Sequence, residues 1–294
     1  MRIFDPHIHM SARTTDDYEA MYEAGVRALV EPAFWLGQPR TGVASFVDYF
    51  DALIGWERFR AAQFGIRHHC TIALNPKEAN DPRCREVMPE LPRYLSKDGV
   101  VAVGETGYDS MTPEEDAVLA EHLALAVEFD LPALVHTPHR DKVVGTRRTL
   151  DVVAESGLSM HRVLVDHLNE TCVDMVADSG AWMGFSIYPD TKMDEQRVVA
   201  IMQRLGLDRI LVNSAADWGR SDPLKTARTG LAMLDAGFSA DDVDRVLWQN
   251  PLEFYGQSGR VDVTPIPGFA PAQQGPDTFE GNSVLRGMAS RRAV

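Results

Sequence analysis

Two histidines stand at alternate positions near the start of the chain, in Asp5-Pro6-His7-Ile8-His9. On extended backbone, residues i and i+2 point to the same side, so both imidazoles can reach one cation. Three more potential donors each close a short apolar run. They are Glu105 in Val103-Gly104-Glu105-Thr106-Gly107, His136 in Leu134-Val135-His136-Thr137 and His167 in Leu164-Val165-Asp166-His167. One polar residue at the end of an apolar run is ordinarily satisfied by backbone; four such ends carrying imidazole or carboxylate form a constellation. Its donors suit Zn²⁺, Mn²⁺ or a similar divalent ion better than Ca²⁺.

Residues so far apart in sequence must be gathered by the fold. The chain alternates strand-like and helix-like segments. The strand candidates are 2–6, 26–31, 68–74, 100–105, 132–136, 162–167, 182–187 and 209–214, each short, rich in Val, Ile or Leu, and followed by polar residues or Gly/Pro, as buried parallel strands are. Helical patterns occupy 16–24, 46–63, 83–95, 113–129, 142–155, 170–178, 194–205 and 224–234. Thr112-Pro113-Glu114-Glu115 is a strong helix start, with Thr as cap and Pro in the first turn. Eight such pairs predict an α/β fold of the (β/α)8 TIM-barrel type, in which the C-terminal strand ends form the active face. The candidate donors fall at that level. His68, His69 and His161 lie at strand beginnings and His122 inside a helix, positions that predict structural roles.

A further helix is predicted over 239–254, capped by Ser239. After it the chain reads PIPGFAPAQQGP and shows no sustained period. The prediction is a single domain, with a barrel at 1–256 and an extended Pro/Gly-rich tail at 257–294.

Composition narrows the setting. Of 294 residues, 45% are hydrophobic and 24% charged, the balance of a globular chain. No run approaches the roughly 18 apolar residues of a membrane span, and MRIFDPHIHM puts an acid and two histidines where a signal peptide has its apolar core. Cys70, Cys84 and Cys172 are widely spaced and contain no CxxC, so neither a disulfide framework nor a thiolate zinc site is expected, and a cytoplasmic location is. With 29 Lys and Arg against 43 Asp and Glu, the net charge of −14 repels polyanions, so a small-molecule substrate is expected over nucleic acid.

As a set these motifs resemble the TatD-like hydrolases of the amidohydrolase superfamily over roughly residues 1–256. The shared pattern is HxH after strand 1, Glu in a GExG context after strand 4, His after strands 5 and 6, and an Asn-containing segment like Asn250-Pro251-Leu252-Glu253-Phe254 at the end of the barrel. The resemblance implies a metal-dependent hydrolase holding two divalent ions, Zn or Mn. His7 and His9 would hold one and His136 and His167 the other, with Glu105 between them.

Strand 8 departs from the pattern. Where the family has an acid, a Thr and a metal-binding Asp, this chain reads Asn213-Ser214-Ala215, and the next acid is Asp217. Asp217 is assigned as ligand and proton acceptor, with Asp222 as second choice, although two residues of extended chain add about 6.6 Å. After strand 5, His139 and Arg140 are candidate substrate-binding residues for a phosphate or carboxylate; a solvated loop is the equal alternative. Phe34, Trp35 and Tyr188 could wall a pocket or simply pack. The expected activity is hydrolysis of a small phosphoester, ester or amide by metal-activated water. The rival readings are a TatD-type deoxyribonuclease and a noncatalytic barrel acting as a binding or scaffold subunit, and the tail offers a route to a homo-oligomer.

Overall fold

The computed structural model of the chain describes residues 1–188, 191–267 and 269. Its eight strands are β1 (Ile3–Asp5), β2 (Val26–Pro32), β3 (Arg67–Ile72), β4 (Val100–Gly107), β5 (Ala133–His136), β6 (Val163–Asp166), β7 (Trp182–Ser186) and β8 (Ile210–Asn213). They pair in parallel in sequence order. The barrel is sealed just past the strand ends, where Ala215 N donates to His7 O and His9 N donates to Ala216 O, both at 2.9 Å.

Two apolar layers result from the alternation of side chains along these strands. Phe4, Val30, Val101, Leu134, Leu164, Trp182 and Leu211 fill the lumen with Phe254 and Tyr255. Ile3, Leu29, Val103, Val135, Val165 and Phe185 face outward and pack beneath the helices.

The helices lie close to the predicted windows: α1 (Thr15–Glu23), α2 (Val43–Asp51), α3 (Arg58–Ala62), α4 (Pro82–Arg85), α5 (Leu91–Leu95), α6 (Pro113–Glu128), α7 (Lys142–Ser156), α8 (Val173–Ser179), α9 (Glu195–Leu205), α10 (Lys225–Asp235), α11 (Ala240–Asp244) and α12 (Asn250–Gly256). Wider π turns join α2 to α3 and α11 to α12. Thr112 and Ser239 cap α6 and α11 as predicted, each accepting a hydrogen bond from the backbone N–H three residues on. The helix expected over 83–95 is instead two pieces with a 3₁₀ turn at Met88–Glu90 between them. Pro89 and Pro92 carry no N–H, which removes the bonds that would have continued it.

The described part of the tail crosses the N-terminal end of the barrel. Val261 and Val263 pack against the lumenal layer, and Arg260 donates to Val100 O. Asp262 N donates to His69 Nε2 at 3.0 Å, and Arg67 pairs with Asp262 at 3.1 Å. His69 and His122 thus have structural roles, the latter accepting from Leu74 N at 3.0 Å. The rest of the tail, and with it the expected oligomer contact, lies outside the described residues. Cys70, Cys84 and Cys172 are free thiols. No helix among the described residues is long and apolar enough to cross a membrane.

Candidate metal centre

At the C-terminal end of the barrel, Glu105 Oε1 lies 2.9 Å from His136 Nδ1 and 3.0 Å from His167 Nε2. His7 Nε2 stands 3.9 Å from the same oxygen and 3.1 Å from His9 Nε2. All five residues are buried. The ligand atoms of His7, His9 and Glu105 fall within 4.8 Å of one another, as do those of Glu105, His136 and His167, and those of His7, Asp166 and His167.

Each donor is delivered by its strand. Glu105 sits in β4 and its second oxygen accepts from Asn75 Nδ2 at 3.0 Å. The glycine at position 107 is required there, since its φ is +125° and a Cβ would collide with the carbonyl of His136. His136 is the last residue of β5. His167 follows β6 with φ +62°, which turns its ring back into the lumen, where Nδ1 meets Ser186 Oγ at 2.6 Å. Phe34 stacks on His9, with centroids 3.8 Å apart and an interplanar angle of 17°.

The sequence reading passed over Asp166. Its Oδ2 lies 2.6 Å from His7 Nδ1, its Oδ1 accepts from His167 N at 2.7 Å, and Asn213 Nδ2 donates to both oxygens at 3.0 and 3.1 Å. A Cβ at Gly184 on β7 would collide with this carboxylate, so the acid needs the glycine opposite it. Asp5 also lies under the histidines, accepting from His7 N and Ser214 N and so tying β1 to β8. Burial, opposed by the hydrogen bonds from Ser214 and His7, pushes its carboxyl up to about 7.

The electrostatics mark an anionic pair set among imidazoles. Burial works against ionisation of Glu105, but the charges and hydrogen bonds of His136 and His167 outweigh it and hold the carboxyl well below its usual range. Asp166 follows the same pattern, burial being outweighed by His167 and His7. Burial and the Lys192 ammonium hold His167 well below the ordinary imidazole value, which keeps a nitrogen lone pair free for a ligand.

The donor set fits a divalent cation. His136 Nε2 is buried and without a hydrogen-bond partner among the described residues, an unmet need that coordination would satisfy. Asp166 on His7 Nδ1 and Ser186 on His167 Nδ1 are the kind of outer partners that fix the orientation of a ligating imidazole.

The structure does not bring Asp217, expected as a ligand, into this cluster. After β8 the chain turns at Ala215, with φ +43°, and Asp217 Oδ1 accepts instead from Tyr188 OH at 2.8 Å and Gly219 N at 2.7 Å. Asp222 does not replace it, since its carboxylate accepts from Leu224 N and pairs with Arg228 at 2.8 Å. His139 and Arg140 are both exposed on the loop after β5, and the ring of His139 is 6.3 Å from that of His136.

Residues 4–256 match the family described as TatD related DNase. An uncharacterized metal-dependent hydrolase of Methanocaldococcus jannaschii is 27% identical over 259 residues, 86% of this chain and 99% of that protein. An uncharacterized metal-dependent hydrolase named TatD from Mycobacterium tuberculosis is 30% identical over 185 residues, 58% of this chain and 64% of that one. The crystal structure of a TatD-like protein from Archaeoglobus fulgidus superposes with a TM-score of 0.72 at 24% identity, covering 86% of this chain and 99% of that one. With the barrel, the buried His and Glu cluster and the match over residues 4–256, the chain belongs to the TatD related DNase family of metal-dependent hydrolases.

Proposed function

We propose that the chain hydrolyses a small phosphoester, ester or amide at a divalent-metal centre held by His7, His9, Glu105, His136 and His167. One observation carries this reading: a single buried carboxylate oxygen, Glu105 Oε1, faces histidines delivered by three different strands. Divalent ions in such a set lower the pKa of bound water and offset charge that develops on oxygen.

The chain's own residues hold and orient. Asp166 fixes the ring of His7 and Ser186 that of His167, while Asn75 holds the second oxygen of Glu105. Phe34 covers the face of His9 and excludes water from that side. Asp217 and Tyr188 form a hydrogen-bonded pair in the loops after β8 and β7, which leaves the proton-accepting role to Asp166 or to Glu105 itself.

A deoxyribonuclease is the second reading, favoured by the family description and opposed by the charge of −14. Metal analysis combined with a panel of small chromogenic esters and single-stranded DNA tests both. Turnover of a small ester that collapses in Glu105→Gln supports the first reading. Undiminished turnover in that variant would sink it, and faster cleavage of DNA than of every small ester would promote the second.

A further inference from the structure

Two lysines enter the rim of the centre without a direct ion pair among the described residues. Lys192, from the segment after β7, places Nζ 3.1 Å from His167 Nδ1 and 3.5 Å from Nε2. Among the described residues it makes no ion pair. Lys142, at the start of α7, donates to Thr137 O at 3.1 Å and Thr137 Oγ1 at 3.0 Å, both neutral acceptors. Each is half-buried, and an ammonium withdrawn from water without a carboxylate bonded to it is costly. A third, Lys77, is already neutralised by Asp109 at 2.6 Å.

The first two converge on one place: Lys142 reaches Thr137, the residue after His136, and Lys192 reaches His167, and the rings of those two histidines lie 4.6 Å apart. The carboxylates whose charges reach Lys192, those of Glu105, Asp166 and Asp217, are each engaged by other donors, so an anion entering the opening would meet both ammonium groups. The other side of the opening is apolar: Trp218, half exposed, lies 4.8 Å from Phe34, which itself stacks on His9.

We infer that Lys142 and Lys192 form a phosphoryl-binding arm, and that the substrate is a small phosphate monoester whose organic group rests on Phe34 and Trp218. The inference rests on the reading that Glu105 and the histidines form the hydrolytic centre. A monoester carries close to two negative charges at neutral pH, matching two ammonium groups; a diester brings one charge and a carboxylic ester none. In the reaction water oxygen bonds to phosphorus and the phosphorus–oxygen bond to the organic group breaks. Its electron pair stays on the departing oxygen, which takes a proton, so one ester and one water give one alcohol and one hydrogen phosphate.

The test uses the full metal-loaded chain with p-nitrophenyl phosphate, bis(p-nitrophenyl) phosphate and p-nitrophenyl acetate, in wild type, Lys192→Met, Lys142→Met, Lys192→Arg and Glu105→Gln. Binding of inorganic phosphate is read separately by calorimetry. The expected result is preference for the monoester. Each Met variant should raise its KM by about tenfold, the size of one charge-assisted hydrogen bond, with a smaller change in kcat and a smaller loss on the acetate. Lys192→Arg should recover much of the KM, and phosphate should bind about tenfold more weakly to Lys192→Met. Equal phosphate binding in wild type and both Met variants, or preference for the diester or the acetate, overturns the arm. If wild type turns over none of the three esters, the hydrolytic reading fails instead, and the phosphate titration still decides the lysines.

Discussion

Asp166 Oδ2 lies 2.6 Å from His7 Nδ1, joining β6 to the segment after β1 across the lumen. A carboxylate on the far nitrogen of an imidazole fixes its tautomer and raises the basicity of the nitrogen that would bind a metal. Asp166→Asn should therefore weaken metal binding by about 10–100-fold while the barrel stays folded. Competition with a chelator of known affinity measures this; unchanged affinity would mean that the contact serves packing alone.

Glu105→Gln removes the carboxylate that His136 and His167 share. Loss of about 100-fold or more in kcat/KM is expected, the scale of a single preorganised electrostatic group. Metal content should fall as well. Added Zn²⁺ or Mn²⁺ should raise the melting temperature of wild type, by mass action on the folded state, and should raise that of the variant much less. A matching metal-induced shift in both proteins would place the ion elsewhere.

Asp217→Asn should leave metal stoichiometry intact, because its carboxylate is occupied by Tyr188 and Gly219. The amide oxygen still accepts from both, so stability should change by less than about 1 kcal/mol. Elemental analysis of the purified variant decides; loss of an ion would return Asp217 to the ligand set.

Acid should destabilise the fold through two buried histidines outside the donor cluster. Burial pushes both His122 and His69 down to about 4. The unfolded chain takes up these protons near pH 6.5, so between about 6.5 and 4 it binds more protons than the native state, and stability falls as pH falls through that window. Each histidine contributes up to about 3 kcal/mol over the full interval. In His122→Gln the amide oxygen can accept from Leu74 N without titrating, and the pH dependence of the urea midpoint should become shallower. An unchanged slope would count against this origin.

The strands, and the five candidate donors that the fold gathers into one cluster, were legible because each signal is local. A buried parallel strand is an apolar run with a polar end, and the polar ends carry His7, His9, Glu105, His136 and His167. Asp166 was also within reach, had the alternation of side chains been followed: Leu164, Leu134, Trp182 and Leu211 fill the lumen, so two positions on, Asp166, His136, Gly184 and Asn213 must face it. His167 breaks that alternation through its left-handed backbone, and Asp217 is carried away by the turn at Ala215; neither departure has a local sequence cue. Lys142 and Lys192 were hidden for a different reason. Lysine is common on surfaces, and only tertiary placement shows which of them lack a direct ion pair.

The Asp166 carboxylate occupies the space that the missing side chain of Gly184 leaves on β7. A Cβ at position 184 would meet both the carboxylate and, at 2.9 Å, the Cα of Asp166, so even alanine there would displace the acid and the strand that carries it, and with them the partner of His7. The glycine on β7, in the strand beside the one that carries Asp166, thus acts on the orientation of the first histidine without touching it.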